Sequence, residues 1–168
     1  MNKSTDKDER ESLDLDAVHL WTYALQSFFA VLAVFATFLI LTVKDVIITA
    51  SVGSTAFLVF AMPRARSARA RNVIGGQLTG LLTGALLGLL PNHAFPLSIL
   101  IPSAAVGLSI FLMLIFKVEH PPASGTALGV SLTGFHPDSA IALIFCSVVL
   151  ALIHATSSER LKTLVRGQ

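Results

Sequence analysis

Charged positions along this chain are clustered, and the gaps between clusters define its elements. Uncharged stretches run over 18–43, 46–62, 72–116, 120–137 and 139–158. The polar, turn-like Pro91-Asn92-His93 divides the third, leaving six apolar segments: 23–43, 46–62, 72–90, 95–116, 121–135 and 139–155. Crossing the hydrocarbon takes about 20 apolar residues in a helix. Four segments, of 17 to 22 residues, suffice; 46–62, at 17, is barely long enough, and 121–135 is about five residues short. Both short segments are rich in small and hydroxylated residues: Thr49, Ser51, Gly53, Ser54 and Thr55 in the first, and Ser124, Gly125, Thr126, Gly129, Ser131, Thr133 and Gly134 in the second. They are expected to be thin or broken spans, or loops that enter and leave on one side.

Basic residues discriminate between these topologies, because Lys and Arg are retained on the cytoplasmic side. With six crossings, the amino terminus, the Arg64–Arg71 loop, Lys117 and the carboxyl terminus share one side, which then carries eleven of the twelve positive residues and leaves Lys44 opposite. With two re-entrant segments the split becomes six against six. The expected fold is therefore an all-α integral membrane protein of six short transmembrane segments, segments 2 and 5 short or broken, with both termini cytoplasmic; the alternative is four spans plus two re-entrant segments. Trp21 and Tyr23 stand at the entrance of the first span, where amphipathic rings favour the interface.

Composition agrees: 54% of the residues are apolar and 13% charged, and the mean hydropathy is +0.75. A net charge of +2 reflects basic membrane loops rather than a nucleic-acid partner. The single Cys146 offers neither an internal disulfide nor a metal site. Residues 1–19 read as an acidic, polar cytoplasmic arm, 20–157 as the transmembrane domain and 158–168 as a basic tail. The acidic arm argues against an organellar transit peptide, and no cleavable signal pattern precedes the first span, so a bacterial cytoplasmic membrane is the expected address.

The segments fall into two sets of three: long, short and Ser/Thr/Gly-rich, then long. Ala50-Ser51-Val52-Gly53-Ser54-Thr55-Ala56 resembles Ala123-Ser124-Gly125-Thr126-Ala127 across a gap, as an internal duplication would leave. Three crossings per half would make the halves inverted repeats, an arrangement that permits a central site reached from either side. In the third segment Gly76, Gly80, Gly84 and Gly88 form one helical stripe. The stripe suits close helix packing, within the protomer or between the copies of a homodimer, and is assigned no chemistry.

Three constellations carry candidate chemistry. His120-Pro121-Pro122-Ala123-Ser124-Gly125-Thr126 reads as a helix opening, since proline is tolerated in a first turn, and its unpaired N–H groups and hydroxyls could hold an anion or simply cap the helix. Ser51-Val52-Gly53-Ser54-Thr55 is a place for local unwinding, as in discontinuous transporter helices, or a small-residue packing surface. Arg71-Asn72 could gather anions at a pore mouth or anchor to lipid headgroups. His120 is the one histidine nominated as a proton relay, with interfacial structural roles expected for His19, His93, His136 and His154.

At these residues the chain resembles the HPP family of small integral membrane proteins. The resemblance runs through Ala50–Ala56, Pro63, Arg71-Asn72-Val73-Ile74-Gly75-Gly76 and His120–Leu128, and covers residues 24–155. It departs at Arg69-Ala70, where a Gln-Pro pair is usual, and at Gln77, where a His often follows the two glycines. What the resemblance implies is membrane transport, with nitrite the substrate associated with some relatives, and a count of four membrane helices.

No Asp, Glu, Lys or Arg lies deep in any apolar segment, which disfavours a divalent metal as cargo and fits a weakly hydrated monovalent anion. Nitrite, nitrate, formate and halide meet that description. The expected site is Ser51, Gly53, Ser54, Thr55, Arg71, Asn72, His120, Pro121, Pro122, Ser124, Gly125 and Thr126, with no metal and no cofactor. An enzyme is not expected, because paired carboxylates, a Ser-His-Asp set and metal-ligand spacing are all missing. A non-transporting sensor, scaffold or subunit of a larger complex is the alternative.

Overall fold

Helices occupy the described parts of the apolar segments in a computed structural model that describes residues 20–35, 46–91, 94–157 and 161, with backbone alone over 46–48. The acidic arm, most of the basic tail, Lys44, His19 and the Asn92-His93 turn lie outside the described residues. The helices are α1 (Leu20–Phe35), α2 (Val46–Ala61), α3 (Ala70–Gly88), α4 (Leu97–Phe116), α5 (Pro122–Thr133) and α6 (Pro137–Ser157), with a 3-10 turn at Arg66–Ala68 between α2 and α3. Among the described residues α4 and α6 are long and apolar enough to cross a membrane by themselves; α1 and α2 are shorter apolar helices.

Side-chain and backbone contacts fix the direction of each helix. Arg71, in the first turn of α3, donates to the carbonyl of Phe116 at the end of α4, so these two are antiparallel. Gly76, Gly80, Gly84 and Gly88 of α3 face His120, Ala123, Ala127 and Val130 in that order, so α5 runs parallel to α3. Ser51 meets Thr126 while Thr55 meets His120, which sets α2 antiparallel to α5. His154, late in α6, bonds the Pro63 carbonyl after α2, and Trp21 at the start of α1 shares a hollow with Phe60 and Ser157. One end of the bundle therefore gathers the start of α1, the Arg64–Arg71 loop, Lys117 and the end of α6. Successive helices run between that basic end and the far end, and the two ends of α5 lie at opposite ends of α3. Re-entry of α5 on the side it left is not what the backbone does.

The expectation of broken segments is corrected. Both α2 and α5 are continuous helices, merely short: at 1.5 Å per residue the 12 residues of α5 span about 18 Å. The hydroxyls that predicted unwinding instead bond back one turn, Ser54 to the Ala50 carbonyl and Thr55 to that of Ser51, a local pattern compatible with a helix. Gly53 lines a groove between α1 and α2, and a Cβ added there would meet nothing within 4 Å.

The glycine stripe lies inside the protomer. Without Cβ atoms, α3 lets the backbone of α5 approach: a Cβ on Gly84 would stand 2.7 Å from the Ala127 carbonyl oxygen. Van der Waals contact of this kind holds membrane helices together where lipid removes the hydrophobic drive. A core of Val52, Val59, Phe60, Val130, Leu143, Cys146 and Leu150 joins α2, α5 and α6. Exposed Ile99, Leu100, Phe111, Leu114 and Ile115 leave the outer face of α4 apolar, as a lipid-facing surface requires.

Candidate functional site

The turn between α4 and α5 delivers a histidine into the bundle. Helix α4 stops where Lys117 takes a left-handed conformation (φ 55°) and Val118 N–H donates to the Met113 carbonyl at 2.9 Å, a C-terminal cap of the Schellman kind. Val118 then packs on Met113 and Ala123. Asn72 holds the next residue, its Nδ2 donating to the Glu119 carbonyl at 3.1 Å and to the Glu119 carboxylate at 3.3 Å. His120 is left with no exposed surface.

Around it stands a buried polar cluster drawn from three helices. His120 Nδ1 lies 2.8 Å from the Ser67 carbonyl, and its Nε2 lies 2.9 Å from Thr55 Oγ1. Gln77 donates through Nε2 to Ser51 Oγ at 3.0 Å and to Thr55 Oγ1 at 3.2 Å. Thr126 donates to Gln77 Oε1 at 2.7 Å and sits 2.8 Å from Ser51 Oγ. Ser51 also reaches the Pro122 carbonyl at 2.8 Å. All five side chains are buried. Removing such groups from water is tolerable only because each has a partner.

Burial pushes the His120 pKa down to about 4, while the Ser67 carbonyl pulls it up. Its imidazole is therefore neutral at pH 7, with Nδ1 the protonated nitrogen because it faces a carbonyl.

Of the residues expected from sequence, Ser51, Thr55, His120 and Thr126 converge here, with Pro122 contributing its carbonyl. Ser54, Pro121 and Gly125 line an adjoining groove of about 490 Å³, together with Ser51, Pro122, Ala50, Phe57 and Leu58. Ser124 lies in a second hollow of about 240 Å³ with His120 and Glu119. Gly53 is exposed and lines a separate groove against α1. Arg71 and Asn72 stand apart from the cluster and fasten the end of α4 and the following loop. The bare amides expected at the start of α5 are also corrected. Pro121 and Pro122 have no N–H, and those of Ala123 and Ser124 donate to the His120 and Pro121 carbonyls at 2.9 and 3.1 Å.

Gln77 was not among the expected site residues, yet it binds three of the cluster's side chains. An amide at the eighth position of α3, in a stretch otherwise rich in Gly and Leu, was the available signal. His136 and His154 take structural places, bonding the Thr133 and Pro63 carbonyls. A larger hollow of about 700 Å³ between α1, α2 and α6 has mainly apolar walls, including Trp21, Phe29, Phe60 and Ile153, and lies away from the polar cluster.

Residues 14–166 match the family model described as HPP, transmembrane region. The chain belongs to the HPP family. That match and the apolar helices make it a membrane protein, as the charge gaps implied. No curated protein and no solved structure matches the chain.

Proposed function

We propose that this HPP protein moves a small monovalent anion across the membrane along the seam between α2 and α5, with nitrite the leading substrate. The observation that carries the reading is the buried, uncharged polar cluster beside the groove of Ser51, Ser54, Pro122 and Gly125. Polar groups inside a membrane bundle are costly and mark substrate pathways. Hydroxyl donors without a fixed charge suit one negative charge and weak hydration, and the choice of nitrite comes from the family resemblance. The address is a bacterial cytoplasmic membrane with both termini cytoplasmic. The two similar strings lie on antiparallel helices that meet at Ser51 and Thr126, which supports an inverted repeat, and a homodimer would help a bundle this small seal its pathway.

One observation favours the second reading, a non-transporting sensor or subunit: α2 and α5 are continuous, and the first free amides of α5 are already paired. Uptake by proteoliposomes offered nitrite, nitrate, formate or chloride separates the two. Transport predicts nitrite entry above that of empty vesicles, reduced in Ser51→Ala. Absence of flux for all four anions would leave the subunit reading.

A further inference from the structure

The polar cluster holds too few hydrogens for its geometry. Eight hydrogen-bonding separations connect Ser51, Thr55, Gln77, His120 and Thr126 to one another and to the carbonyls of Ser51, Ser67 and Pro122. With a neutral imidazole the five side chains carry six polar hydrogens: one per hydroxyl, two on the Gln77 amide and one on the ring. Gln77 commits both of its hydrogens, to Ser51 and Thr55, and Thr126 commits its own to Gln77 Oε1. His120 spends its hydrogen on the Ser67 carbonyl, which leaves Nε2 an acceptor. Thr55 then has one hydrogen and two acceptors at equal 2.9 Å separations, His120 Nε2 and the Ser51 carbonyl of its own helix.

We propose that His120 Nε2 is a reversible proton-binding site completed by the Thr55 hydroxyl. A proton from water adds to the Nε2 lone pair and forms an N–H bond. Thr55 turns its hydrogen to the Ser51 carbonyl and accepts from Nε2–H through its oxygen. No separation has to change, and release reverses both movements. A histidine that accepted from a backbone N–H would instead meet hydrogen against hydrogen on protonation; a hydroxyl, being donor and acceptor, avoids this. The other junction, where Ser51 shares one hydrogen between Pro122 and Thr126, has no group that titrates.

Burial disfavours the added charge, and charged groups of both signs stand near it. The hollow that reaches His120 is also lined by Glu119, with Met113 and Leu114 from α4. From α3 come Gln77 and Asn72, the latter bonded to Glu119; α2 supplies Thr55. Arg66 adjoins Ser67 in the 3-10 turn, and the Arg71 guanidinium is turned to the Phe116 carbonyl. The inference goes beyond the transport reading and holds whatever the substrate.

The test is 15N NMR of histidine-labelled protein in lipid nanodiscs from pH 8 to 3, with His120 assigned through His120→Asn. The expected result is a reversible change of His120 Nε2 from an acceptor-type to an N–H signal while the helical circular dichroism is unchanged. Thr55→Val, which takes away the acceptor for Nε2–H, should lower the proton affinity about tenfold or more, and Thr55→Ser should restore it. If Nε2 stays unprotonated until the helices melt, the proposal is overturned; so it is if Thr55→Val titrates as the wild type does. Should Thr55→Val fail to insert, the wild-type titration alone decides.

Discussion

Replacing Gly80 by alanine probes the contact that aligns α3 with α5. The new Cβ would fall on the Ala123 carbonyl oxygen, with the carbonyl carbon at 3.0 Å. That oxygen belongs to the backbone of α5 and has no rotamer to escape into, so the helices must part. Overpacking of a filled interior costs about 1–3 kcal/mol, against which alanine returns up to about 1 kcal/mol of helix propensity. A net loss of about 1 kcal/mol, and up to about 2, is expected. Three other glycines calibrate the argument. At Gly84 a Cβ meets Ala127 O at 2.7 Å and Val130 Cβ at 2.9 Å, at Gly88 it meets Val130 O at 3.2 Å, and at Gly53 it meets nothing within 4 Å. Stability should therefore rise in the order Gly80→Ala, Gly84→Ala, Gly88→Ala, Gly53→Ala, with the third near neutral and the last at or above wild type. Reversible unfolding in mixed micelles, followed by circular dichroism as sodium dodecyl sulfate is added, measures the series. Equal stability of Gly80→Ala and Gly53→Ala would refute the packing argument.

Gln77→Leu should cost about 1–3 kcal/mol in the same assay, since it strips partners from three buried hydroxyls. His120 gives the protein an acid-sensitive window: with its pKa lowered in the fold to about 4 from an ordinary 6.5, the unfolded chain binds more protons between those values. The thermal midpoint should thus be steady above pH 6.5 and fall as the pH drops toward 4, and His120→Asn should flatten that slope. Single cysteines at positions 67, 92 and 136, in a Cys146→Ser background, report the topology through impermeant labelling. Six traversals put 92 and 136 together, opposite 67; matching labels at 67 and 136 would restore the re-entrant alternative.

Much of the fold is legible in the sequence because lipid imposes a coarse rule: charges lie at or near the helix ends, and among the described residues each of the six apolar segments contains an α-helix. The glycines four apart in α3 likewise declared a packing face, though not whether its partner lay within the protomer. The partner is α5, which starts 34 residues beyond Gly88, and local pattern carries no such pairing. The misjudged feature was helix continuity in α2 and α5. Gly53 and the hydroxyls of Ser54 and Thr55 have low intrinsic helix propensity, but in the bundle the hydroxyls bond to carbonyls a turn earlier and tertiary packing decides. Ser51, Thr55, His120 and Thr126 were found by type and position. Gln77 was missed because its partners lie 22, 26 and 49 residues away, and alone it is only a polar residue in an apolar run.

Helix continuity changes what the proposed transport would require. With the backbone amides of α2 and α5 committed to their own helices, an anion in the groove must be held by side chains, and Ser51 and Ser54 present the hydroxyls there. Ser54 has one hydrogen, already given to the Ala50 carbonyl; Ser51 has one, shared between the Pro122 carbonyl and Thr126. An anion would draw the Ser51 hydrogen away from these acceptors, and each is left without only a shared bond. The cost of engagement is therefore small, and so is the grip. A weak, easily reversed hold of this kind serves passage better than storage, since conduction needs a site that releases what it binds.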